Sequence, residues 1–144
     1  MSGSVTASDL IARPEVSKVI LADKAGDISK LNKALRVSPK VTTHELDITD
    51  YEAMVKLMRD KDVVVNCVGP FYQYGITAIK AAIEARTNYV DICDDADVFQ
   101  EAFTLNQAAK EAGVSVCVGC GNSPGFSNVA IKYIADKLDE VDEI

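Results

Sequence analysis

Acidic side chains cluster directly after a strand-like segment, residues 89–92. Asp91 lies near the carboxyl end of this segment, and Asp94 and Asp95 follow it closely. A carboxylate there can act as a proton acceptor, and several together favour a substrate that carries an amino group over an anionic ligand. Asp91 is therefore the candidate catalytic residue. The alternative is that Asp91 is structural and that Asp94 or Asp95 caps the following helix.

A second candidate site lies in the segment KDVVVNCVGPFYQYG, residues 61–75. Its apolar run shows no alternation of polar and apolar residues, which predicts a strand buried on both faces of a parallel sheet. The pair Gly69 and Pro70 ends the run, three aromatic residues follow, and a helical pattern begins after Gly75. Open α/β sheets bind ligands just beyond the carboxyl ends of such strands, so we place the site here.

A third candidate site is the loop at residues 119–126, which is rich in glycine and proline. A helix is expected to begin near Ser127, and its first amides would be free and partly positive. Such an end suits a carboxylate or an amide group, which makes Pro124 and Gly125 predicted substrate contacts. The alternative is a loop that only connects two elements.

The cysteines are Cys67, Cys93, Cys117 and Cys120, and each lies in or just after an apolar run. This placement predicts buried thiols in a reducing cytosol. Cys117 and Cys120 form a CxxC pair, which is at most half a zinc site, and His44 has no ligand spacing to it. We therefore expect no metal site, with redox or metal use of the pair as the lesser alternative.

Composition limits the class of protein. The chain has 144 residues, 48% of them hydrophobic, and a net charge of -7. This is enough for one domain with a core, and the acidic balance argues against nucleic acid or anionic membranes as partners. No apolar stretch is long enough to span a membrane, and the N-terminus lacks the apolar core of a signal peptide. A cytoplasmic protein is expected.

Strand-like and helical segments alternate along the chain. A short helix comes first, and strand and helix then alternate five times, which predicts an α/β fold with a doubly wound parallel sheet of Rossmann type. Asp27 is the expected N-cap of the second helix, and one long helix is expected between Asp95 and Gly113. The expected strands are residues 16–21, 41–46, 63–67, 89–92 and 114–118.

Three segments together resemble the nucleotide-binding domain of the saccharopine dehydrogenase / saccharopine reductase family, which includes lysine dehydrogenases. They are VSKVILADK, VVVNCVGPFYQYG and VCVGCGNSPGFSN. Residues 121–128 of the last segment fit the family pattern Gly-x-x-Pro-Gly-x-Ser-Asn. The resemblance implies an oxidoreductase that transfers hydride between NAD(P) and the carbon–nitrogen bond of a lysine-derived amino acid.

The chain also departs from the family pattern. Family members begin with a strand that ends in G-x-G-x-x-G, and Met1-Ser2-Gly3 resembles only its last three residues. We therefore expect one truncated dinucleotide-binding domain over residues 1–144, without the first strand and without a substrate domain. Strands 16–21 and 63–67 would then pair directly, or a strand from another chain would fill the slot between them, so a homo-oligomer is expected.

The resemblance also implies roles for individual residues. Asp23 would accept hydrogen bonds from the ribose hydroxyls of NAD, whereas Lys24 could meet the 2′-phosphate of NADP, so NAD is preferred and NADP is the alternative. Asp47 would flank the adenine, or else only help to start a helix at Thr49. The predicted cofactor contacts are Gly3, Asp23, Lys24, Asp47, Ile48, Cys67, Val68, Gly69, Pro70 and Phe71, and the predicted substrate contact in the aromatic segment is Tyr74.

Two functions remain open at this point. The first is the cofactor-binding portion of an oxidoreductase whose partners are a dinucleotide and a small amino-acid substrate. The alternative is a regulatory nucleotide-binding domain without catalysis.

Overall fold

A computed structural model describes residues 2–24, 31 and 33–143 of the chain. The described chain divides into two compact units, Met1–Leu57 and Met58–Ile144. Asp27, the expected cap of the second helix, lies outside the described residues. Among the described helices, none combines the length and the apolar character needed to cross a bilayer.

The first unit is built around a pair of parallel strands. Val19 of the first strand lies opposite Val41 of the second, and Asp23 lies opposite Glu45. The small core of this unit contains Ala7, Val19 and Leu35. Its elements are α1 (Ser2–Ala12), β1 (Val19–Asp23), α2 (Lys33–Val37), β2 (Val41–Glu45) and α3 (Tyr51–Met58), the last of which ends at the boundary between the units.

The second unit holds a three-stranded sheet whose strands are all parallel. Its elements are β3 (Val63–Asn66), α4 (Phe71–Ala85), β4 (Asn88–Asp91), α5 (Ala96–Thr104), α6 (Asn106–Ala112), β5 (Val116–Cys117) and α7 (Phe126–Ala135). The strand order is β3-β4-β5. The predicted α/β class with parallel strands is thus confirmed.

Helix α4 carries much of the core of this unit. Small and branched apolar residues recur along one side of the helix at helical spacing, so a single face can be buried. The helix ends at Arg86, which adopts the left-handed conformation with φ 57°. Thr87 follows, and its hydroxyl donates to the carbonyl of Met58 at 2.7 Å. The buried residues of α4 are Phe71, Gly75, Ala78, Ile79, Ala81, Ala82 and Ala85.

The described strands form two sheets, where one was expected. Strands β1 and β2 form one, and β3, β4 and β5 form the other. Among these strands β3 therefore has a partner on one side only, namely β4. The expectation that β3 is buried on both faces is wrong, because Val63 is 48% exposed and Val65 is 37% exposed.

Two helix boundaries also differ from expectation. Helix α4 begins at Phe71, before Gly75, because Pro70 is extended and already sets the N-cap position. The long helix expected up to Gly113 is broken at Leu105, where ψ is 0° and the backbone N–H bonds to the carbonyl of Ala102, three residues back. Such a bond closes a 3₁₀-type turn, and α6 continues after it.

Candidate functional site

The carboxyl ends of β3, β4 and β5 meet at one edge of the sheet, since the three strands are parallel. Three of the predicted segments lie at these strand ends: residues 67–70, 91–95 and 118–125. The fold therefore brings together the three candidate sites that the sequence indicated in this unit. It does so at the edge where open α/β sheets bind ligands.

Asp91, the candidate catalytic residue, is fully buried at this edge. Its Oδ1 accepts hydrogen bonds from the backbone N–H of Cys93 at 3.1 Å and of Gly119 at 2.9 Å. Its Oδ2 accepts from the hydroxyl of Tyr89 at 3.0 Å, and its own carbonyl accepts from the N–H of Cys120 at 2.7 Å. The carboxylate thus holds β4 to the loop after β5, which is the structural alternative that the sequence left open. Because Asp91 is 0% exposed, a contact between this carboxylate and a substrate would require the surrounding loops to move.

A buried polar chain continues from Asp91 to the neighbouring strand. Tyr89 accepts a hydrogen bond from Asn66 Nδ2 at 3.0 Å, and Asn66 Oδ1 accepts from the N–H of Val68 at 2.9 Å. Burial raises the pKa of Tyr89, so its hydroxyl remains a donor to Asp91. Sequence reasoning did not identify Asn66 or Tyr89, although a lone Asn inside an apolar run was a visible signal.

The segment after β3 presents its backbone to solvent. Val68, Gly69 and Pro70 are exposed, and Cys67 is half-buried. A Cβ placed on Gly69 would meet nothing closer than 3.9 Å, so this surface is open to a ligand. A ligand can therefore reach the backbone of Val68, Gly69 and Pro70, three of the predicted cofactor contacts.

The two aromatic residues predicted to contact ligands lie in helix α4. The ring of Phe71 is buried with Cys93 and Val98, so it belongs to the core and does not face a ligand from this position. Tyr74 is half-buried one turn further along. Burial also raises the pKa of the Cys93 thiol, which keeps that thiol protonated.

The N-terminus of α4 is capped from another element. Asp95 lies at the N-cap position of α5, but its carboxylate accepts from the backbone N–H of Tyr72 at 3.1 Å. It makes no side-chain cap bond to α5. The expectation that Asp95 caps its own helix is therefore corrected: the side chain ties the start of α4 to the start of α5.

The loop before α7 is closed by its own backbone. Gly125 has φ 121°, and a Cβ there would lie 2.2 Å from the carbonyl oxygen of Gly121. The N–H groups of Phe126 and Ser127 donate to the carbonyls of Gly121 and Asn122, and the N–H of Gly125 donates to Asn128 Oδ1. These amides of α7 were expected to be free for a ligand, and the structure corrects that expectation. Pro124 and Gly125 are both half-buried.

The cysteines fall into two groups. Cys93 is buried and Cys67 is half-buried, as the sequence predicted for packed thiols, but Cys117 and Cys120 are exposed. The expectation of four buried thiols is thus wrong for the CxxC pair, because β5 ends at Cys117 and the chain turns toward the surface. Within the described residues, no group of three or more His, Cys, Asp or Glu is placed to hold a metal ion.

The predicted residues of the first unit lie at the ends of β1 and β2. Asp23 is exposed at the end of β1, and the Lys24 ammonium lies 2.7 Å from Asp47 Oδ2. Asp47 Oδ1 also accepts from the N–H and the hydroxyl of Thr49. The hydrogen bond from Lys24 and the bonds from Thr49 lower the pKa of Asp47 to about 2. Asp47 therefore holds the turn before α3, which begins at Tyr51 and not at Thr49 as expected, and its contact with adenine stays a prediction.

The remaining two residues predicted in this unit are Ile48 and Gly3. Ile48 is half-buried beside Asp47, and Gly3 is half-buried in the first turn of α1. The cofactor contact predicted for Gly3 stays a prediction.

A family model described as the saccharopine dehydrogenase NADP binding domain matches residues 1–117. The chain is 28% identical to a carboxynorspermidine synthase of Vibrio cholerae, over 73% of this chain and 29% of that protein. It is 29% identical to a carboxyaminopropylagmatine dehydrogenase of Synechocystis, over 97% of this chain and 38% of that protein. It is 30% identical to a saccharopine dehydrogenase-like oxidoreductase of Rattus norvegicus, over 76% of this chain and 26% of that protein.

A solved structure shares the fold. The apo saccharopine dehydrogenase (L-Glu forming) from Saccharomyces cerevisiae superposes with a TM-score of 0.73 at 23% identity, over 93% of this chain and 28% of that one. The chain thus spans between 26% and 38% of the length of the three relatives. The match over residues 1–117 and the parallel α/β fold agree with the resemblance seen in the sequence: this chain belongs to the saccharopine dehydrogenase NADP-binding domain family.

Proposed function

We propose that this chain binds NADP(H) for an oxidoreductase that acts on the carbon–nitrogen bond of a lysine-derived amino acid. The observation that carries the proposal is the match of residues 1–117 to an NADP-binding domain. When bound, the nicotinamide would accept or donate the hydride. The residues of this chain would bind the dinucleotide, orient it and exclude water from it.

The exposed backbone at residues 68–70 supports a cofactor contact in the second unit. A Cβ on Gly69 would lie no closer than 3.9 Å to the atoms around it beyond its chain neighbours, so a sugar or a nicotinamide ring can lie against the main chain there. Asn66 fixes this segment through its bond to the N–H of Val68, and Asp91 fixes the neighbouring loop. We assign Asn66 and Asp91 as positioning residues that keep the two loops in place for the cofactor.

Lys24 supports NADP in the first unit. The sequence favoured NAD because an acid, Asp23, ends β1, but the family is described by NADP. The Lys24 side chain is 79% exposed and carries the positive charge that a 2′-phosphate requires. Its ion pair with Asp47 holds the ammonium at the end of the strands. We therefore assign Lys24 as the contact to the 2′-phosphate, and Asp47 as the residue that positions it.

The test compares NADPH and NADH binding by calorimetry. We expect tighter binding of NADPH, and we expect Lys24→Ala to weaken NADPH binding roughly tenfold, or about 1.4 kcal/mol, with little change for NADH. Lys18→Ala removes the same charge from an exposed position before β1 and is the matched control. Tighter binding of NADH, or an equal loss in both lysine variants, would reject the assignment of Lys24.

The lysine-derived substrate rests on the family and on the relative named for saccharopine, whereas two other relatives are named for carboxynorspermidine and carboxyaminopropylagmatine. The assay is dinucleotide turnover with saccharopine or lysine. Because the chain spans at most 38% of the length of these relatives, we expect it to bind NADPH on its own without turnover. We expect turnover from a protein that joins this chain to the part of the relatives that it does not span. Turnover with a carboxylated polyamine and none with saccharopine or lysine would reject the lysine-derived substrate.

A further inference from the structure

The thiols of Cys117 and Cys120 lie side by side on the surface of the second unit. Their sulfur atoms are 3.2 Å apart, and both residues are exposed. Cys93, in contrast, is 0% exposed and belongs to the core. Because Cys117 and Cys120 contribute little to packing, burial does not explain why two thiols stand together here.

The turn that joins the two cysteines is fixed by its surroundings. Gly119 has φ 74°, and a Cβ on it would lie 3.0 Å from both Phe99 Cζ and Pro124 Cγ. Asp91 accepts from the N–H of Gly119 through its carboxylate and from the N–H of Cys120 through its carbonyl. The closeness of the two sulfur atoms is therefore built into the fold.

Metal binding does not account for the pair. Two thiolates make half of a tetrahedral zinc site, and structural zinc takes four protein ligands. In the part of the chain that the structure describes, no third His, Cys, Asp or Glu completes such a group. Two exposed thiols in contact, without further ligands, have the arrangement of a dithiol that can be oxidised.

We propose that Cys117 and Cys120 form a redox-active dithiol, which closes to an intramolecular disulfide by exchange with a small disulfide such as oxidised glutathione. The sulfur atoms need to approach by only about 1.2 Å to reach the disulfide bond length of about 2.05 Å. In cytosolic proteins such pairs are used as transient or redox-sensing disulfides.

The exchange proceeds in two balanced steps. Cys117 loses its proton to solvent, and its thiolate attacks one sulfur of oxidised glutathione; a Cys117–glutathione disulfide forms and one glutathione thiolate leaves and is protonated. Cys120 then loses its proton and attacks the sulfur of Cys117, which releases the second glutathione. The two protein thiols are oxidised by two electrons, and one glutathione disulfide is reduced to two thiols.

Asp91 distinguishes the two thiols, because it lies beside Cys120 and its carbonyl accepts from the N–H of Cys120 at 2.7 Å. The hydrogen bond with Cys117, then burial, and also the negative charges of Cys117 and Asp91 raise the pKa of Cys120 to about 11. These causes disfavour the thiolate form of Cys120. Since the thiolate is the nucleophile, Cys117 is the sulfur that attacks first and Cys120 is the one that resolves the mixed disulfide.

The test equilibrates the chain with a series of reduced and oxidised glutathione mixtures, followed by acid quenching, alkylation and peptide mass spectrometry. Trypsin cleaves after Lys110 and Lys132, so residues 111–132 carry both cysteines on one peptide. We expect this peptide to lose both alkylation sites together and to lose the mass of two hydrogen atoms as the mixture becomes more oxidising. The matched control is Cys67→Ser, which should form the same disulfide.

Single variants test the order of attack. In Cys120→Ser the glutathione adduct should accumulate on Cys117, whereas Cys117→Ser should acquire the adduct more slowly, because burial and the charge of Asp91 still disfavour the Cys120 thiolate. Both side chains are exposed, so both variants should unfold at the same denaturant concentration as the parent. Two unreacted thiols in a mixture that fully oxidises a free dithiol, or stable glutathione adducts on both cysteines of the parent, would overturn the proposal. Equal adduct rates in the two variants would overturn the assigned roles.

Discussion

The Asp91 carboxylate joins three parts of the second unit through hydrogen bonds to Tyr89, Cys93 and Gly119. A buried carboxylate costs free energy unless donors surround it, and here each oxygen has at least one donor. The residue therefore sets the positions of β4, of the turn after it and of the CxxC turn. In the proposed function, its contribution is the placement of these loops.

Replacing Asp91 by Asn tests this role. The amide group would place a donor where the carboxylate now accepts, and one buried bond would be left unmade. We expect the free energy of unfolding to fall by about 2 kcal/mol, as measured by urea denaturation. Asp94→Asn, at an exposed neighbouring position, should change it by less than about 0.5 kcal/mol. Equal stability of the two variants would contradict the positioning role.

We expect the free energy of unfolding to depend on pH in the acid range through Asp47. Its pKa in the folded chain is lowered from 3.8 to about 2, mainly by the hydrogen bond from Lys24. A lowered pKa means that the ionised form stabilises the fold above the unfolded value, and that this contribution disappears as the pH falls through the folded value. The difference in unfolding free energy between the parent and Asp47→Asn should therefore shrink between about pH 4 and pH 2.

This comparison is made by urea denaturation across that pH range. Lys24→Ala removes the main cause of the lowered pKa and should shift the loss of stability toward higher pH. A difference between the parent and Asp47→Asn that stays constant with pH would show that Asp47 is not stabilised in its ionised form.

At the scale of elements, the candidate site is formed by residues at the ends of helices and strands. Asp95 caps α4 from the start of α5, and the loop before α7 closes on itself at Gly121 and Gly125. The first arrangement depends on a contact between residues 23 positions apart in sequence. The second depends on the positive φ of Gly125. The short strand β5 therefore leads into a rigid turn and not into an open loop.

The loop before α7 requires glycine at position 125. In Gly125→Ala the new Cβ would meet the carbonyl of Gly121 at 2.2 Å, so the loop must open and the bond from the N–H of Phe126 is lost. We expect a cost of roughly 3 kcal/mol or more, measured by chemical denaturation. Gly113→Ala is the control: its φ of 71° is also positive, but no atom lies within 4 Å, so about 1 kcal/mol is expected. Similar costs would show that the close approach at Gly121 does not matter.

At the scale of the whole molecule, burial is uneven. Helix α4 buries seven residues, whereas α7 buries none. Several large apolar side chains of α7 are exposed, among them Phe126, Val129, Tyr133 and Ile134. The stability of the second unit therefore depends on α4 and its neighbours far more than on α7. The expected homo-oligomer stays a prediction.

Two isoleucines measure this difference. Ile79 in α4 is 0% exposed, and Ile79→Ala should lower the free energy of unfolding by about 3 kcal/mol through lost burial and a cavity. Ile134 in α7 is 57% exposed, and Ile134→Ala should change it by less than about 0.5 kcal/mol. Both values come from equilibrium denaturation, and a large effect at Ile134 would mean that α7 is covered in solution.

Much of the fold could be predicted from local patterns. The apolar runs gave the five strands within a few residues, and the alternation of strands with helical spacing gave the parallel α/β class, because periodicity reflects which faces are buried. The segment with Gly69 and Pro70 and the one with Pro124 and Gly125 also identified the family. These features depend on neighbours in sequence, so a single chain is enough to read them.

Tertiary structure decided what those side chains do. Asp91 and Asp95 bind partners that lie 28 and 23 residues away, and these partners decide whether Asp91 faces the interior and which helix Asp95 caps. Whether the first amides of α7 are free depends on the hydrogen bonds that close the loop before it. Tertiary structure also decided the exposure of Cys117 and Cys120. The apolar run predicted buried thiols, but the turn after β5 places both at the surface. The sequence determined which residues follow the strands, and the fold determined their partners, because hydrogen bonding and burial are set by contacts between distant segments.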